Sequence, residues 1–170
     1  MCYYKDAQIS IPQGQATVQE LQPGSPLHAA TLKGDKPVWE PVLVDLYQPS
    51  GGGQPRQAHL LFNNNNQMVT SVDQLLLLRT GQLIRADKLV PGTHQLVDKD
   101  GNEVGIAQVS IGTFGEAVYS LASNAPYAGT MDGHLLLANG VITGDYILQL
   151  NAEELTARGL IAAPQALPQS

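Results

Sequence analysis

Apolar residues in this chain come in short runs of strand character. They are AQISI (7–11), VLVDLYQ (42–48), AHLLF (58–62), VDQLLLLR (72–79), QLIRA (82–86), HQLVD (94–98), VGIAQVSI (104–111), AVYSLA (117–122), HLLLAN (134–139) and GVITGDYILQL (140–150). Turn-forming clusters separate them: PQG, KGDKP, PSGGGQP, NNNN, RTG, DKDGN and NG. Many short strands at this spacing predict an all-β domain, compact or barrel-like. Two short helical pieces are expected beside them. One lies in TVQELQPG (17–24) and stops at Pro23. The other is NAEELTARG (151–159), where Asn151 can cap, Glu154 completes a capping-box pattern and Gly159 ends the turn. IAAPQALPQS (161–170) reads as a loose tail.

The pattern also repeats. GQATVQELQPGSPL (14–27) resembles GQLIRADKLVPGTHQL (81–96). Each has a Gly-Gln turn, a strand, a leucine two residues before Pro-Gly, and a further strand. Two related halves in a small β domain predict a duplication with a pseudo-two-fold axis.

Composition narrows the class. With 170 residues the chain suits one domain with a real core, and 43% hydrophobic against 14% charged residues is a folded composition. The 17 glycines and 11 prolines disfavour long helices. Net charge is −6 with no basic run, which argues against nucleic acid as a partner. No apolar stretch reaches the length of a membrane span, since LLLLRTG breaks at Arg79. The first residues lack the pattern of a signal peptide. Cys2 is the only cysteine, so no internal disulfide can form; this fits a reducing compartment such as the cytoplasm.

Several chemical motifs fail. PSGGGQP lacks the Lys and Ser/Thr of a phosphate loop. DKDGN starts like a calcium loop, but Glu103 stands where glycine is required, so Asp100-Gly101 reads as a hairpin turn. His28, His59 and His94 have no metal-ligand spacing. No metal and no cofactor is expected.

Three blocks resemble the Hint domains, the hedgehog autoprocessing and intein family. CYYKDAQISIPQGQATVQELQPGS is similar to their opening block, a Cys at the cleavage site followed by a strand and a Gly turn, although Ser25 follows Gly24 where the family has Asp. VTSVDQLLLLRTGQLIRADKLVPG resembles the block built on Thr-x-x-His; Thr70 matches, and Asp73 stands in place of the His. AVYSLASNAPYAGTMDGHLLLANGVITGD resembles the closing blocks, with His134 ahead of Ala-Asn-Gly-Val, but it ends in Gly144-Asp145 where splicing members have His-Asn. The resemblance implies an all-β, pseudo-two-fold Hint fold over residues 2–149. A C-terminal extension, a short helix and then a tail, would cover 150–170.

The chemistry implied is self-processing. The Cys2 thiol would attack the carbonyl before it, an N-to-S acyl shift that turns an amide into a thioester. The chain's own upstream polypeptide would be the substrate, and water, a thiol, an amine or an alcohol the acceptor. Only Met1 precedes Cys2, so the sequence is expected to be a processed form or a piece of a longer chain. Thr70 would donate to the carbonyl oxygen as it gains charge. Asp73 is the difficulty, because an ionised carboxylate cannot protonate a leaving nitrogen. Burial could keep it protonated, so that Asp73 serves as the acid and cleavage speeds up as pH falls. Asp87 would activate the incoming nucleophile, and His134 would protonate or hydrogen-bond near the scissile bond.

Each residue has a plainer alternative: Cys2 a small buried hydrophobe, Asp73 a turn residue, Asp87 a surface charge, His134 a half-buried strand histidine. Gly144-Asp145-Tyr146 offers no cyclising Asn, so N-terminal cleavage or acyl transfer is expected instead of splicing. The opposing expectations are a catalytically degenerate Hint scaffold serving as a binding or structural module, and an unrelated β-rich ligand-binding domain in which Cys2 has no role.

Overall fold

The computed structural model describes residues 3–49, 56–113 and 118–162. Cys2 and the PSGGGQP glycines therefore lie outside the described residues. Short strands follow the turn signals closely. They are β1 (Tyr3–Tyr4), β2 (Gln8–Ile11), β3 (Gly14–Thr17), β4 (Pro26–Lys33), β5 (Lys36–Pro49), β6 (Gln57–Phe62), β7 (Gln67–Ser71), β8 (Leu75–Leu77), β9 (Leu83–Arg85), β10 (Gln95–Val97), β11 (Glu103–Gly112), β12 (Val118–Ser123), β13 (Leu135–Ala138) and β14 (Val141–Gly144). Two 3-10 turns, Val18–Glu20 and Ala86–Lys88, and two short helices, α1 (Tyr146–Leu150) and α2 (Ala152–Ala157), complete the order.

The strands run in one continuous antiparallel path, β10-β11-β6-β7-β1-β12-β5-β4-β13-β14-β8-β9, with β2 bridging β13 and β3. The path curls because β5 serves two partners. Its first part, from Lys36 to Leu43, pairs with β4, and the rest, from Val44, pairs with β12. Inside the curl two apolar clusters form, one around Ile9, Leu27, Leu60, Phe62 and Leu121, the other around Leu75, Leu83, Leu135, Leu148 and Leu155.

Residues 36–41 of β5 were not among the runs with strand character. It carries Pro37 and Pro41, which lack an N–H. Both lie opposite β4 residues, at Leu32 and His28, in pairs that alternate with the one closing the two-residue turn, Lys33 and Lys36. In those alternate pairs the ladder asks nothing of the proline nitrogen, and that side of β5 has no strand partner until Val44.

The duplication is visible in the backbone. In the first half, Val18 N donates to Ala7 O, Gln19 N to Lys5 O and Leu21 N to Val18 O. In the second, Ala86 N donates to Gln74 O, Asp87 N to Val72 O and Leu89 N to Ala86 O. Both 3-10 turns are followed by a Pro-Gly whose glycine takes positive φ, +88° at Gly24 and +80° at Gly92. Tyr3 and Thr70 pair directly across β1 and β7, so the pseudo-two-fold axis passes between them. By the same correspondence Asp6 is the counterpart of Asp73, and Gln19 that of Asp87.

The run GVITGDYILQL is not one strand. It bends at Gly144, where an added Cβ would meet Leu75 Cβ and Leu148 Cδ1, each at 3.2 Å. Asp145 then caps α1 by accepting from Leu148 N. The cap expected at Asn151 is not made: its side chain donates to Ile147 O at 2.8 Å, while Glu154 pairs with Arg158. The boundary expected after residue 149 falls inside α1. Beyond it Leu155 is buried, and Ile161 bridges to Leu83 of β9.

Asn139 and Gly140 form the β13–β14 turn with φ of 49° and 85°. The Asn139 side chain accepts from Gln8 N at 2.7 Å and donates to Gln67 O at 2.8 Å. Asn139→Ala is expected to cost about 1–2 kcal/mol, from lost hydrogen bonds and positive φ together. A lower urea midpoint at unchanged slope would show it.

Candidate functional site

Where the two halves meet, the sheet gathers polar groups. Thr70 is fully buried, and its hydroxyl donates to Ser71 O at 2.9 Å. A tight turn follows, closed by Gln74 N donating to Ser71 O. Asp73 sits on that turn. Its carboxylate accepts from Ser71 Oγ at 2.7 Å and from Gln149 Nε2 of α1 at 2.6 Å. Burial pushes this carboxyl up, but the hydrogen bonds from Ser71 and Gln149, helped by positive charge, outweigh it and hold Asp73 below the ordinary carboxylate value. Burial alone had been expected to keep Asp73 protonated; the donors around it reverse that expectation.

Beside the turn, Gln74 is buried and donates to Leu75 O at 3.0 Å and Gly144 O at 2.8 Å. Gly144 O also receives the Tyr3 hydroxyl at 3.1 Å. That hydroxyl lies 2.7 Å from Thr143 Oγ1, which donates to Leu136 O. Two hydroxyl protons thus serve three contacts, to Leu136 O, to Gly144 O and between the two hydroxyls. Burial pushes the Tyr3 hydroxyl above the usual tyrosine range.

One residue along from Gly144, the carboxylate of Asp145 is enclosed. Oδ2 lies 2.7 Å from His134 Nδ1 and accepts from Ser123 N at 2.9 Å, while Oδ1 accepts from Leu148 N at 3.2 Å. The side chains are 1% and 0% exposed, so His134 is a core residue rather than a half-buried one. Burial pushes the His134 ring down, yet the Asp145 contact more than reverses this, and the ring is held above its ordinary value. Burial likewise pushes Asp145 up, ahead of the pull of its donors. The pair therefore holds on to one proton between its two members. Ser123 Oγ lies 3.2 Å from the same Nδ1 and donates to Gly133 O. Ser123, His134 and Asp145 are not a nucleophilic triad, because serine and carboxylate share one ring nitrogen and Nε2 has no hydrogen-bond partner among the described residues.

No protein-family model and no curated protein sequence matches the chain. Solved structures do. The bacterial intein-like domain from Clostridium thermocellum superposes with TM-score 0.69 at 15% identity, over 85% of this chain and 98% of that one. The DnaB intein from Synechocystis sp. PCC 6803 gives 0.67 at 17% identity, over 85% and 97%. The gp41-1 intein gives 0.65 at 14%, over 85% and 98%. The chain has the intein-like Hint fold.

Within this Hint fold the expected residues are placed as follows. Thr70 lies near the end of β7 and Asp73 on the turn that follows it, and Asp87 reaches that turn through its backbone N–H to Val72 O. The Asp87 carboxylate is bound on both oxygens by Arg85, at 2.8 and 3.0 Å. His134 joins the group through Asp145 and Gly144. The position of Cys2 is not described, but its neighbour Tyr3 is the residue paired with Thr70.

Sequence reasoning passed over Asp145 as a poor substitute for asparagine. An aspartate between a strand and YILQL is, however, a readable helix cap. Tyr3, Gln74, Thr143 and Ser123 are ordinary strand residues in sequence. Nothing local marks Gln149.

Proposed function

We propose that this Hint domain processes its own backbone at Cys2, by N-to-S acyl shift followed by attack of an external nucleophile. The observation that supports it is the Tyr3–Thr70 pairing, which ties the residue after Cys2 to the strand that carries Thr70 and leads into the Asp73 turn.

The Cys2 sulfur attacks the carbonyl carbon of the residue upstream, and the thiol proton passes to the Asp73 carboxylate. The Thr70 hydroxyl turns from Ser71 O and donates to the oxyanion of the tetrahedral intermediate. The C–N bond breaks, and the carboxylic acid just formed at Asp73 returns the proton to the departing nitrogen, which becomes the amine of Cys2. In this relay Asp73 rests ionised and is still the acid of the second half-step. Water, a thiol, an amine or an alcohol then takes the acyl group and regenerates the thiol. Asp87, held by Arg85, is left as a structural charge. Asp145 supplies no amide nitrogen to cyclise, and its carboxylate is bound by three donors, which favours cleavage on the N-terminal side alone.

The test is a reporter protein fused upstream of Cys2, incubated with and without hydroxylamine or a strong thiol. The expected result is nucleophile-dependent release of the reporter with the segment after Asp145 still attached, as read by mass, and no release in Cys2→Ala. Release unchanged in Cys2→Ala, or none at all, would overturn it. The second outcome would favour the degenerate scaffold, for which the correspondence of Asp73 with Asp6 speaks: both halves carry an aspartate at this turn.

A further inference from the structure

Asp6 and Asp73 occupy corresponding turns, but their partners differ. Asp6 Oδ1 accepts from Nε2 of Gln19, in the 3-10 turn of its own half, at 3.0 Å. The corresponding residue in the second half is Asp87, a carboxylate that can donate nothing and is bound to Arg85. The missing amide comes from outside the repeat. Gln149, on α1, places Nε2 2.6 Å from Asp73 Oδ2. Among the described residues its own Oε1, which is buried, has no hydrogen-bond partner. Turning the amide over would set oxygen against oxygen at Asp73, so the carboxylate fixes the amide's orientation even though a buried acceptor is left unpaired. The helix is in turn fixed by the Asp145 cap and by buried Leu148.

We propose that Gln149 is a positioning residue, a donor from beyond the last Hint strand that holds the Asp73 carboxylate in place as the proton relay of the acyl shift. This rests on the function proposed above. Besides Ser71 and Gln149, the charged groups that act on Asp73 include Arg85, which is bound to Asp87.

Two measurements test it in wild type, Gln149→Leu, Gln149→Glu and the repeat control Gln19→Leu. The first is the Asp73 carboxyl titration, followed by carbon-13 NMR. Its midpoint is expected to rise by about one pH unit in both Gln149 variants and to stay put in Gln19→Leu. The second is the pH profile of reporter release from the upstream fusion, whose acid limb should move up in the Gln149 variants by the same amount. Gln149→Glu keeps the size of the side chain if Gln149→Leu unfolds. A wild type that releases no reporter would sink the proposed function, and the titration would still decide the Gln149–Asp73 contact. A wild type that cleaves at Cys2, with neither midpoint nor acid limb moved, would overturn the role of Gln149 alone.

Discussion

Asp145→Ala is expected to destabilise the fold by about 3–5 kcal/mol, the cost of leaving one member of a buried pair uncompensated. For a chain of this size that lowers Tm by roughly 6–20 °C. The replacement strands His134 Nδ1 and Ser123 N in the core and removes the cap of α1. A double variant, His134→Leu with Asp145→Asn, should lose less than the single change, because asparagine can still cap and no histidine is left unpaired. The pair also sets a pH signature. The folded-state value of His134 is raised, so its contribution is full below the ordinary value of 6.5 and is lost as pH rises through the raised one. Tm should therefore fall with rising pH between 6.5 and the raised value in wild type, and this part of the dependence should vanish in the double variant. Equal Tm profiles for the two would refute the assignment.

Asp73→Asn is expected to slow reporter release by about 100-fold to 10,000-fold, the usual worth of a positioned proton-transfer group. Asparagine can keep its oxygen towards Gln149 Nε2 and turn its amide N–H towards the Ser71 hydroxyl, which is able to accept, so the turn should persist and the loss should be kinetic, with Tm little changed. The relay needs the carboxylate ionised, and the Asp73 value in the chain is lowered below its ordinary 3.8. Release is therefore not expected to accelerate between about pH 7 and about pH 5, as it would if a resting carboxylic acid were the proton source. A rate that rises on acidification would restore the resting acid. A rate unchanged in Asp73→Asn would reduce Asp73 to the turn residue that Asp6 is in the other half.

Much of this was legible in the chain. Pro-Gly and Asn-Gly pairs mark turns because few residues accept positive φ, and the Gly-Gln to Pro-Gly repeat marked the duplication before any coordinates. The first part of β5 stayed hidden because two prolines suppress the strand signal, and only the register shows that their missing N–H groups are not needed. The end of β14 stayed hidden because Asp145 looks like one more polar residue in an apolar run until its pairing with His134 is seen. Gln149 was invisible for a deeper reason: its partner is 76 positions away, and no local pattern records a contact made by folding a helix back across the sheet.

β1 is two residues long and is flanked on one edge by β7 and on the other by β12, whose residues lie more than 60 and more than 110 positions downstream. A strand so short cannot hold itself in place. During synthesis the front of the chain must therefore wait, undocked, until nearly the whole domain has been made, as befits a topology rich in distant pairings. Any reaction that depends on that docking carries a built-in delay, which keeps it from firing on a half-finished chain.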